Sequence, residues 1–204
     1  MDRLIMSRIF SCLFIEHDLR YVAAAVLVLA MGATLTIRLF SRVTRRRGLE
    51  KGIWLFLAGF IGGSTTWATH FLAMLGYTTG GIAGYEPGGT LASLAVSIGG
   101  VTAGLAISAY GGRSMLLEAG GVVLGLGLGA MHYLGMSAYE VQGEIVWRLD
   151  YVAMSLLAGA FFSAVAMNRA ARPVTRFCRY GAVAALIVAI ASVHFIGMAA
   201  IDLV

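Results

Sequence analysis

The stretch at residues 121–139, GVVLGLGLGAMHYLGMSAY, carries the pattern that decides the fold. Two other stretches, GFIGGSTTWATHFLAMLGY at 59–77 and VAALIVAIASVHFIGMAAI at 183–201, share its order of a His, an aromatic, an aliphatic, a small residue and a Met. Their histidines, His70, His132 and His194, are equally spaced along the chain. An equal period is typical of repeated supersecondary units, which bury their faces against one another. The sequence therefore predicts three copies of one module.

The composition is that of an integral membrane protein. Of the 204 residues, 59% are hydrophobic and only 12% are charged, and the mean hydropathy is +0.86. A soluble domain carries roughly 25% charged residues, which it needs to cover its surface. This composition excludes a water-soluble domain, a disordered chain, a collagen and a coiled coil, and it makes the lipid bilayer the first expected partner.

Six apolar stretches are long enough to cross a bilayer, which takes about 20 helical residues. They lie at 20–39, 53–77, 90–110, 115–139, 150–168 and 178–201. Their apolar residues run continuously instead of alternating, which favours helices over barrel strands. We predict an all-α membrane protein of six transmembrane helices, built from three two-helix repeats (20–77, 90–139 and 150–201) in a pseudo-threefold bundle. Residues 20–204 form this domain.

Residues 1–19 are interpreted as an N-terminal interfacial segment. Their apolar run ends at Glu16, and no small-residue cleavage site follows it, so the segment is not a signal peptide. The two cysteines, Cys12 and Cys178, are far apart and lack metal-type spacing, and they support neither a disulfide framework nor a thiolate site. His17 lies outside the repeat and is assigned no role.

The basic residues indicate the orientation. The net charge is +5 and the pI is about 9.6, but the basic side chains lie between spans and not along one face, which argues against nucleic-acid binding. Alternate connections hold 11 of the 15 Lys and Arg, namely Arg38, Arg42, Arg45, Arg46, Arg47, Lys51, Arg113, Arg169, Arg172, Arg176 and Arg179. The positive-inside rule places these connections in the cytoplasm and the N-terminus outside. A further helix and a cytoplasmic domain are expected after Val204.

The histidines are expected to face the interior of the bundle. In each repeat His and Met are four residues apart, about 40° around one helix face. The same stripe holds Gly59 and Gly63 in the second helix and Gly121 and Gly125 in the fourth. Small residues four apart let membrane helices approach closely. The sixth helix has Val183 and Ile187 at these positions, so we expect it to pack more loosely.

The imidazoles are expected at one depth. His70 follows Lys51 by the same interval as His132 follows Arg113. This interval corresponds to about 28 Å of helix against a hydrocarbon core of about 30 Å. The three rings should therefore lie together near the outer surface.

Imidazole nitrogen with thioether sulfur is a donor set that favours copper, especially Cu(I). Single His and Met residues of this kind are usually interfacial anchors and core fillers, but three pairs at one depth favour a site. The candidate ligands are His70, Met74, His132, Met136, His194 and Met198. Three carboxylates near the outer starts of spans are either partners of the ligand imidazoles or ordinary loop acids: Asp18, Glu86 and Asp150. Phe71, Tyr133 and Phe195 are interpreted as interfacial aromatics.

Two other functions stay open on these residues alone. One is a copper or proton transporter or channel with a ring of His, and the other is a haem held by two of the His. No catalytic residue is predicted, because the sequence has no nucleophile motif, phosphate loop or metalloprotease helix. The sequence also leaves monomer and homodimer open.

The segment GAMHYLGM at 129–136 resembles the motif that names the MHYT family of bacterial membrane sensor domains, and THFLAM and VHFIGM resemble its other copies. The resemblance implies a bacterial inner-membrane protein with its motifs near the periplasmic face. It implies binding of a metal, copper, and through it sensing of a diatomic gas (O2, CO or NO) or of redox state. It also implies signalling to a cytoplasmic diguanylate cyclase or phosphodiesterase domain, outside this chain, that turns over cyclic-di-GMP.

The chain departs from this motif in all three of its copies. The Met before His is kept only as Met131, with Thr69 and Val193 in its place elsewhere, and Leu134 replaces the Thr. Met131 is an additional candidate ligand. Because it lies about 100° from the His face, we expect the Met four residues after His to be the ligand instead.

Overall fold

A computed structural model describes Arg8 and residues 10–12, 14–78, 83–110, 114–172 and 176–203. Six long helices lie in this part of the chain: α1 (Leu19–Val43), α2 (Gly48–Met74), α3 (Pro87–Tyr110), α4 (Ser114–Ser137), α5 (Leu149–Ala171) and α6 (Arg176–Met198). Four short strands accompany them: β1 (Ala83–Tyr85), β2 (Tyr139–Val141), β3 (Ile145–Trp147) and β4 (Ile201–Leu203). Arg113 and residues 1–7 of the predicted N-terminal segment lie outside the described residues.

Local sequence explains where two of the helices begin. Asp18 precedes α1, and its carboxylate accepts a hydrogen bond from the backbone N–H of Arg20 at 2.9 Å. Glu86 precedes α3, whose first residue is Pro87, and its carboxylate accepts from the N–H groups of Gly88 and Gly89. Both are N-terminal caps, and a proline at the first helical position lacks only an N–H that would have no partner there.

Five of the six helices have the length and apolar composition to cross a membrane. They are α1, α3, α5 and the parts of α4 and α6 from Met115 and Phe177 onward. The remaining helix, α2, is the longest at 27 residues, but it carries Ser64, Thr65, Thr66 and His70 in its second half. The chain is thus an all-helical, multi-pass membrane protein, apart from short strands.

Helices that follow one another in sequence pack together, and α1 also contacts α6. Within this arrangement α4 contacts both α2 and α6. Most of the length of the helices shares one apolar core, which includes Leu29, Ile37, Phe40, Leu105, Leu124, Leu128, Leu186 and Ile190. The helices that carry the repeated His are therefore brought side by side by their own apolar faces.

The ends of the helices differ in charge. Where α1 passes into α2, Arg46 of the connection pairs with Glu50 at 3.1 Å. Arg42, near the end of α1, lies over the ring of Trp54 of α2 at 4.6 Å. Lys51 donates to the carbonyl of Ala109 at the end of α3 at 2.8 Å. This end is called the basic end, and the opposite end, which carries all four strands, is called the strand end.

Three backbone pairings close the strand end. Strand β1 pairs antiparallel with β2, β3 pairs antiparallel with β4, and an isolated bridge joins His17 to Tyr77. In each pairing the residue seven positions after a repeated His meets a residue just before an odd-numbered helix. The pairs are Tyr77 with His17, Tyr139 with Tyr85, and Ile201 with Trp147.

The same relation holds for the next backbone hydrogen bond. The N–H groups of Asp18, Glu86 and Arg148 donate to the carbonyls of Gly76, Ala138 and Ala200, each at 2.8 Å. His17 thus occupies, in the backbone, the place that Tyr85 and Trp147 occupy in the other two pairings.

Candidate metal centre

The three repeated histidines meet at the strand end of the bundle. His70, His132 and His194 lie on α2, α4 and α6 and are 3%, 1% and 7% exposed. The Nδ1 atom of His70 lies 3.1 Å from Nδ1 of His194 and 3.3 Å from Nδ1 of His132. Ring nitrogens of all three lie within 4.8 Å of one another. We call this group the histidine triad.

The other ring nitrogen, Nε2, lies against a glycine of a neighbouring helix in two of the three histidines. Each Nε2 is buried and has no hydrogen-bond partner among the described residues. A Cβ atom added at Gly135 would lie 3.1 Å from Nε2 of His70, and one added at Gly197 would meet Nε2 of His132. These glycines are the small residues three positions after His in the next repeat. Each of these two rings therefore fills space that a side chain there would need.

The arrangement suits a metal ion bound by nitrogen. Tetrahedral ligands with metal–nitrogen bonds of about 2.0–2.1 Å lie about 3.3–3.4 Å apart. The two short Nδ1 separations of 3.1 and 3.3 Å come close to this spacing. Three buried ring nitrogens at such distances need protons or a cation between them, because lone pairs facing one another repel. The residues present therefore fit a metal held by three imidazoles.

The predicted methionine ligands form a layer of their own. Met74, Met136 and Met198 are fully buried and belong to one cluster with Cys12 and Tyr139. Each lies one helical turn beyond its His, toward the strand end. The triad and the methionines are thus successive levels of the same three helices.

A cavity adjoins the triad on the side of the basic end. It measures about 50 Å³ and is lined by the three His, by two Thr of α2, and by apolar side chains of α1, α2, α4 and α6. Met131 is buried and lines this cavity, as do Thr69 and Val193 at the equivalent positions. The candidate ligand Met131 therefore lies beside the triad but outside the methionine layer.

The three carboxylates considered as partners of the imidazoles lie at helix starts instead. Asp18 and Glu86 are exposed, and their carboxylates accept hydrogen bonds from backbone N–H groups of α1 and α3. The N–H groups of Gly89 and Gly88 lower the pKa of the Glu86 carboxyl. Asp150 is exposed and pairs with Arg148 at 3.1 Å. The N–H groups of a first helical turn need acceptors, and this need accounts for Asp18 and Glu86 without an imidazole.

The three aromatics predicted to be interfacial, Phe71, Tyr133 and Phe195, lie beside the triad. The three are half-buried, and each packs edge-on against its neighbouring His. Each then contacts one residue of the strand end: Phe71 meets Tyr85, Tyr133 meets Trp147, and Phe195 meets His17. These six rings form a collar around the triad.

His17 is the residue that sequence reasoning missed. It is 3% exposed, and its ring centre lies 5.7 Å from that of His194, about the 5.6 Å that separates His132 from His194. Its Nδ1 lies 2.7 Å from the carbonyl oxygen of Cys12, which can only accept, so Nδ1 carries the proton. Burial lowers the pKa of His17, and Nε2 is left as a buried lone pair without a partner among the described residues.

The predicted packing glycines approach neighbouring helices. Gly59 and Gly63 face Thr102 and Ile98 of α3, and Gly121 and Gly125 face Ala164 and Ala160 of α5. A Cβ at Gly125 would lie 2.6 Å from the Cα of Ala160. Val183 and Ile187 of α6 are only partly buried, and α6 and α1 both line the cavity beside the triad.

Comparison with known proteins identifies the family. The MHYT profile, described as a bacterial signalling protein N-terminal repeat, matches residues 63–121 and 125–182, more than half of the chain. The chain belongs to the MHYT family. The first matched region begins in α2 and ends in α4, and the second begins in α4 and ends in α6. Each MHYT match therefore includes the connection from one helical hairpin to the next.

Three relatives place this MHYT domain among signalling proteins. An uncharacterized signaling protein of Caulobacter vibrioides is 40% identical over 97% of this chain and 24% of its own length. In Pseudomonas aeruginosa, the bifunctional diguanylate cyclase/cyclic di-GMP phosphodiesterase MucR is 29% identical over 88% of the chain and 27% of its own length. The cyclic di-GMP phosphodiesterase NbdA of the same organism is 32% identical over 89% and 24%.

The chain spans about a quarter of the length of these relatives. No solved structure matches it.

Proposed function

We propose that the chain is a membrane sensor domain that binds copper at the histidine triad and passes its occupancy to a cytoplasmic output domain. The observation that carries this proposal is the convergence of three buried histidines from helices that are far apart in sequence. Ionisable side chains inside a membrane domain are costly, so three of them gathered at one point favour a function over packing. A bound metal would supply a redox-active, Lewis-acidic centre.

Copper is the proposed metal because of the neighbouring sulfur. Zinc would be satisfied by three imidazoles, but the adjacent methionine layer adds thioethers, which are soft donors that copper accepts and zinc seldom uses. One or two copper ions could be held by these two levels. Haem is disfavoured because two axial imidazoles need the porphyrin between them, and Nδ1 atoms 3.1–3.3 Å apart leave no such gap.

The cavity supports a diatomic gas as the ligand. It is about 50 Å³, its walls are mostly apolar, and it touches all three imidazoles on the side away from the methionines. A cavity with mostly apolar walls can admit small apolar molecules. O2, CO and NO are of the right size and polarity, and a redox signal would act at the same centre.

We further propose that all six helices span the bacterial inner membrane as three hairpin repeats with pseudo-threefold symmetry. The three equivalent pairings at the strand end support this arrangement. The basic end then faces the cytoplasm by the positive-inside rule, and the triad lies near the periplasmic face. The output domain would turn over cyclic-di-GMP, as the names of two relatives indicate for those proteins.

Transport is less well supported than sensing. On the side of the basic end, the triad is followed by apolar side chains of the core, including Leu124, Leu128 and Ile190. An ion crossing this region would meet mainly hydrocarbon, together with the hydroxyls of Thr36 and Thr66, which already donate to helix carbonyls. Such a region is an electrostatic barrier and not a pathway.

Metal analysis of the purified chain tests the proposal. After anaerobic loading with Cu(I) and desalting, we expect at least one equivalent of copper, a higher melting temperature, and an infrared C–O stretch when CO is added. His132→Ala should lose a full equivalent and the CO band. Ligand at 100 times its Kd stabilises a protein by about 2.7 kcal/mol, which a melting curve resolves. If the parent chain takes up no copper in the loading step and its melting temperature is unchanged, the proposal is contradicted.

A further inference from the structure

The methionine layer is closed by the N-terminal segment, which brings a fourth sulfur atom to it. Cys12 is 1% exposed and packs in the same buried cluster as the three methionines of the repeats. The cluster thus gathers sulfur from α2, α4, α6 and the segment before α1. Neither the histidine triad nor the collar uses these atoms.

Hydrogen bonds hold the segment in place over this cluster. The N–H of Thr78 donates to the carbonyl of Glu16, and the N–H of Asp18 donates to the carbonyl of Gly76, each at 2.8 Å. Gly76 and Thr78 both lie directly after α2. The position of Cys12 is therefore tied to the helix that carries His70 and Met74.

His17 borders this cluster, with its ring against Tyr77, and it carries a further buried nitrogen atom. Its Nδ1 lies 3.8 Å from the Cys12 sulfur and donates to the Cys12 carbonyl, while its buried Nε2 has no partner among the described residues. A metal-binding imidazole usually donates its other N–H to a carbonyl or carboxylate in this way. The equivalent collar positions hold Tyr85 and Trp147, so packing alone does not require an imidazole.

We propose that the N-terminal segment completes a second metal site, for a soft monovalent cation such as Cu(I). Its donors are the thiolate of Cys12 and the thioethers of Met74, Met136 and Met198, with Nε2 of His17 as a nitrogen donor at the edge. Thiolate and thioether are the donors that select Cu(I). The inference deepens the proposed function, on which it rests for the use of the methionines as ligands.

Binding at this site is a ligand exchange without a redox step. The S–H bond of Cys12 breaks, a copper–sulfur bond forms, and the proton passes to solvent. Copper enters and stays as Cu(I). Because Cys12 and His17 lie in the segment that precedes α1, occupancy fastens that segment to the repeats.

Copper stoichiometry and X-ray absorption test the site in the full chain. With Cu(I) loaded under anaerobic conditions, we expect two equivalents in the parent and one in Cys12→Ser, with mainly nitrogen around the remaining copper. Cys178→Ser removes a cysteine elsewhere and should keep two equivalents. His17→Phe keeps the collar aromatic and should weaken binding of the second equivalent several-fold.

His132→Ala separates the two proposals. It should keep one equivalent, now surrounded mainly by sulfur. A nitrogen-only shell in that variant, or two equivalents retained by Cys12→Ser, would overturn the sulfur site. If His132→Ala keeps both equivalents while Cys12→Ser loses one, the sulfur site stands and the histidine centre fails. If Cys12→Ser stays helical but loses both, the segment merely holds the triad together, and the second site is wrong.

Discussion

Two levels of the helix bundle differ in what fills the space between the helices. At one level, called the donor layer, the space is filled by the imidazoles of the triad and the sulfur atoms beyond them. At the other, called the glycine layer, Gly59, Gly63, Gly121 and Gly125 let neighbouring helices approach until no side chain fits. Both levels lie on the same stripes of α2 and α4. One helix face therefore combines a close helix contact with the residues that we propose as metal ligands.

The two layers have different roles in each repeat. Glycine brings helix axes together by van der Waals contact, which needs no particular side chain on the partner. The donor layer needs specific atoms at specific distances, and the rings of His70 and His132 are each lodged against a small residue of the next repeat. Substitutions in the donor layer should therefore act on metal affinity, and those in the glycine layer on stability.

The largest effect is expected for His132→Ala, which removes one third of the triad. Removing a residue that hydrogen-bonds to a metal ligand lowers metal affinity roughly 10–100-fold, and removing the ligand itself should lower it further. Competition with a copper chelator of known affinity measures it. Tyr133→Phe is the control, because it removes only the hydroxyl that meets Ser155. Equal losses in the two variants would mean that the imidazole is not a ligand.

A smaller loss is expected for Gly197→Ala, which puts a methyl group where Nε2 of His132 lies. The ring must turn away from its partners, and we expect about a tenfold loss of copper affinity, as for loss of an orienting contact. Gly181→Ala lies on the same helix with nothing within 4 Å of the added carbon and should leave affinity unchanged. If both variants bind copper like the parent, the ring is not held by the small residue.

The glycine layer is tested by Gly125→Leu. The side chain meets the backbone of α5 at Ala160, and such overpacking costs about 1–3 kcal/mol. We expect a lower melting temperature with copper affinity within a few-fold of the parent, and weakened coupling to output in a full-length protein. Gly52→Ala, where the added carbon has nothing within 4 Å, is the control. Metal lost as completely as in His132→Ala would show that the glycines merely assemble the site.

The smallest effect is expected for Asp18→Ala, which removes the cap of α1. Loss of an N-cap costs about 1 kcal/mol, so the melting temperature should fall slightly. Copper affinity should not change, because the carboxylate bonds to the Arg20 N–H and not to an imidazole. A clear loss of affinity would restore the carboxylate as a partner of the metal ligands.

Much of the fold could be predicted from hydropathy and the equal spacing of the three histidines. Each of the six helices falls within a few residues of its predicted stretch. The predicted helical residues 75–77, 138–139 and 199–201 instead leave the helices, because Tyr77, Tyr139 and Ile201 pair with other backbone. Strands of three residues are too short to show periodicity in a sequence.

The site could be predicted where it repeats and not where it departs from the repeat. Tyr85 and Trp147 precede their partners by one and the same interval, whereas His17 precedes Tyr77 by a longer one. The first connection is thus longer, and aligning the chain on its repeated histidines does not place His17 with the other two. The sequence gives no sign that Nε2 of His17 is buried, because this follows only from the position of His17 in the collar. Cys12 is missed in the same way, because spacing in sequence says nothing of proximity to the methionines.

Location of copper by anomalous scattering in crystals of the copper-loaded chain tests the central claim most directly. The account predicts a copper peak about 2 Å from Nδ1 of each triad histidine, the usual length of a metal–imidazole bond. The absence of a peak between three imidazoles that are well ordered would contradict it, whether or not a second peak lies in the methionine layer.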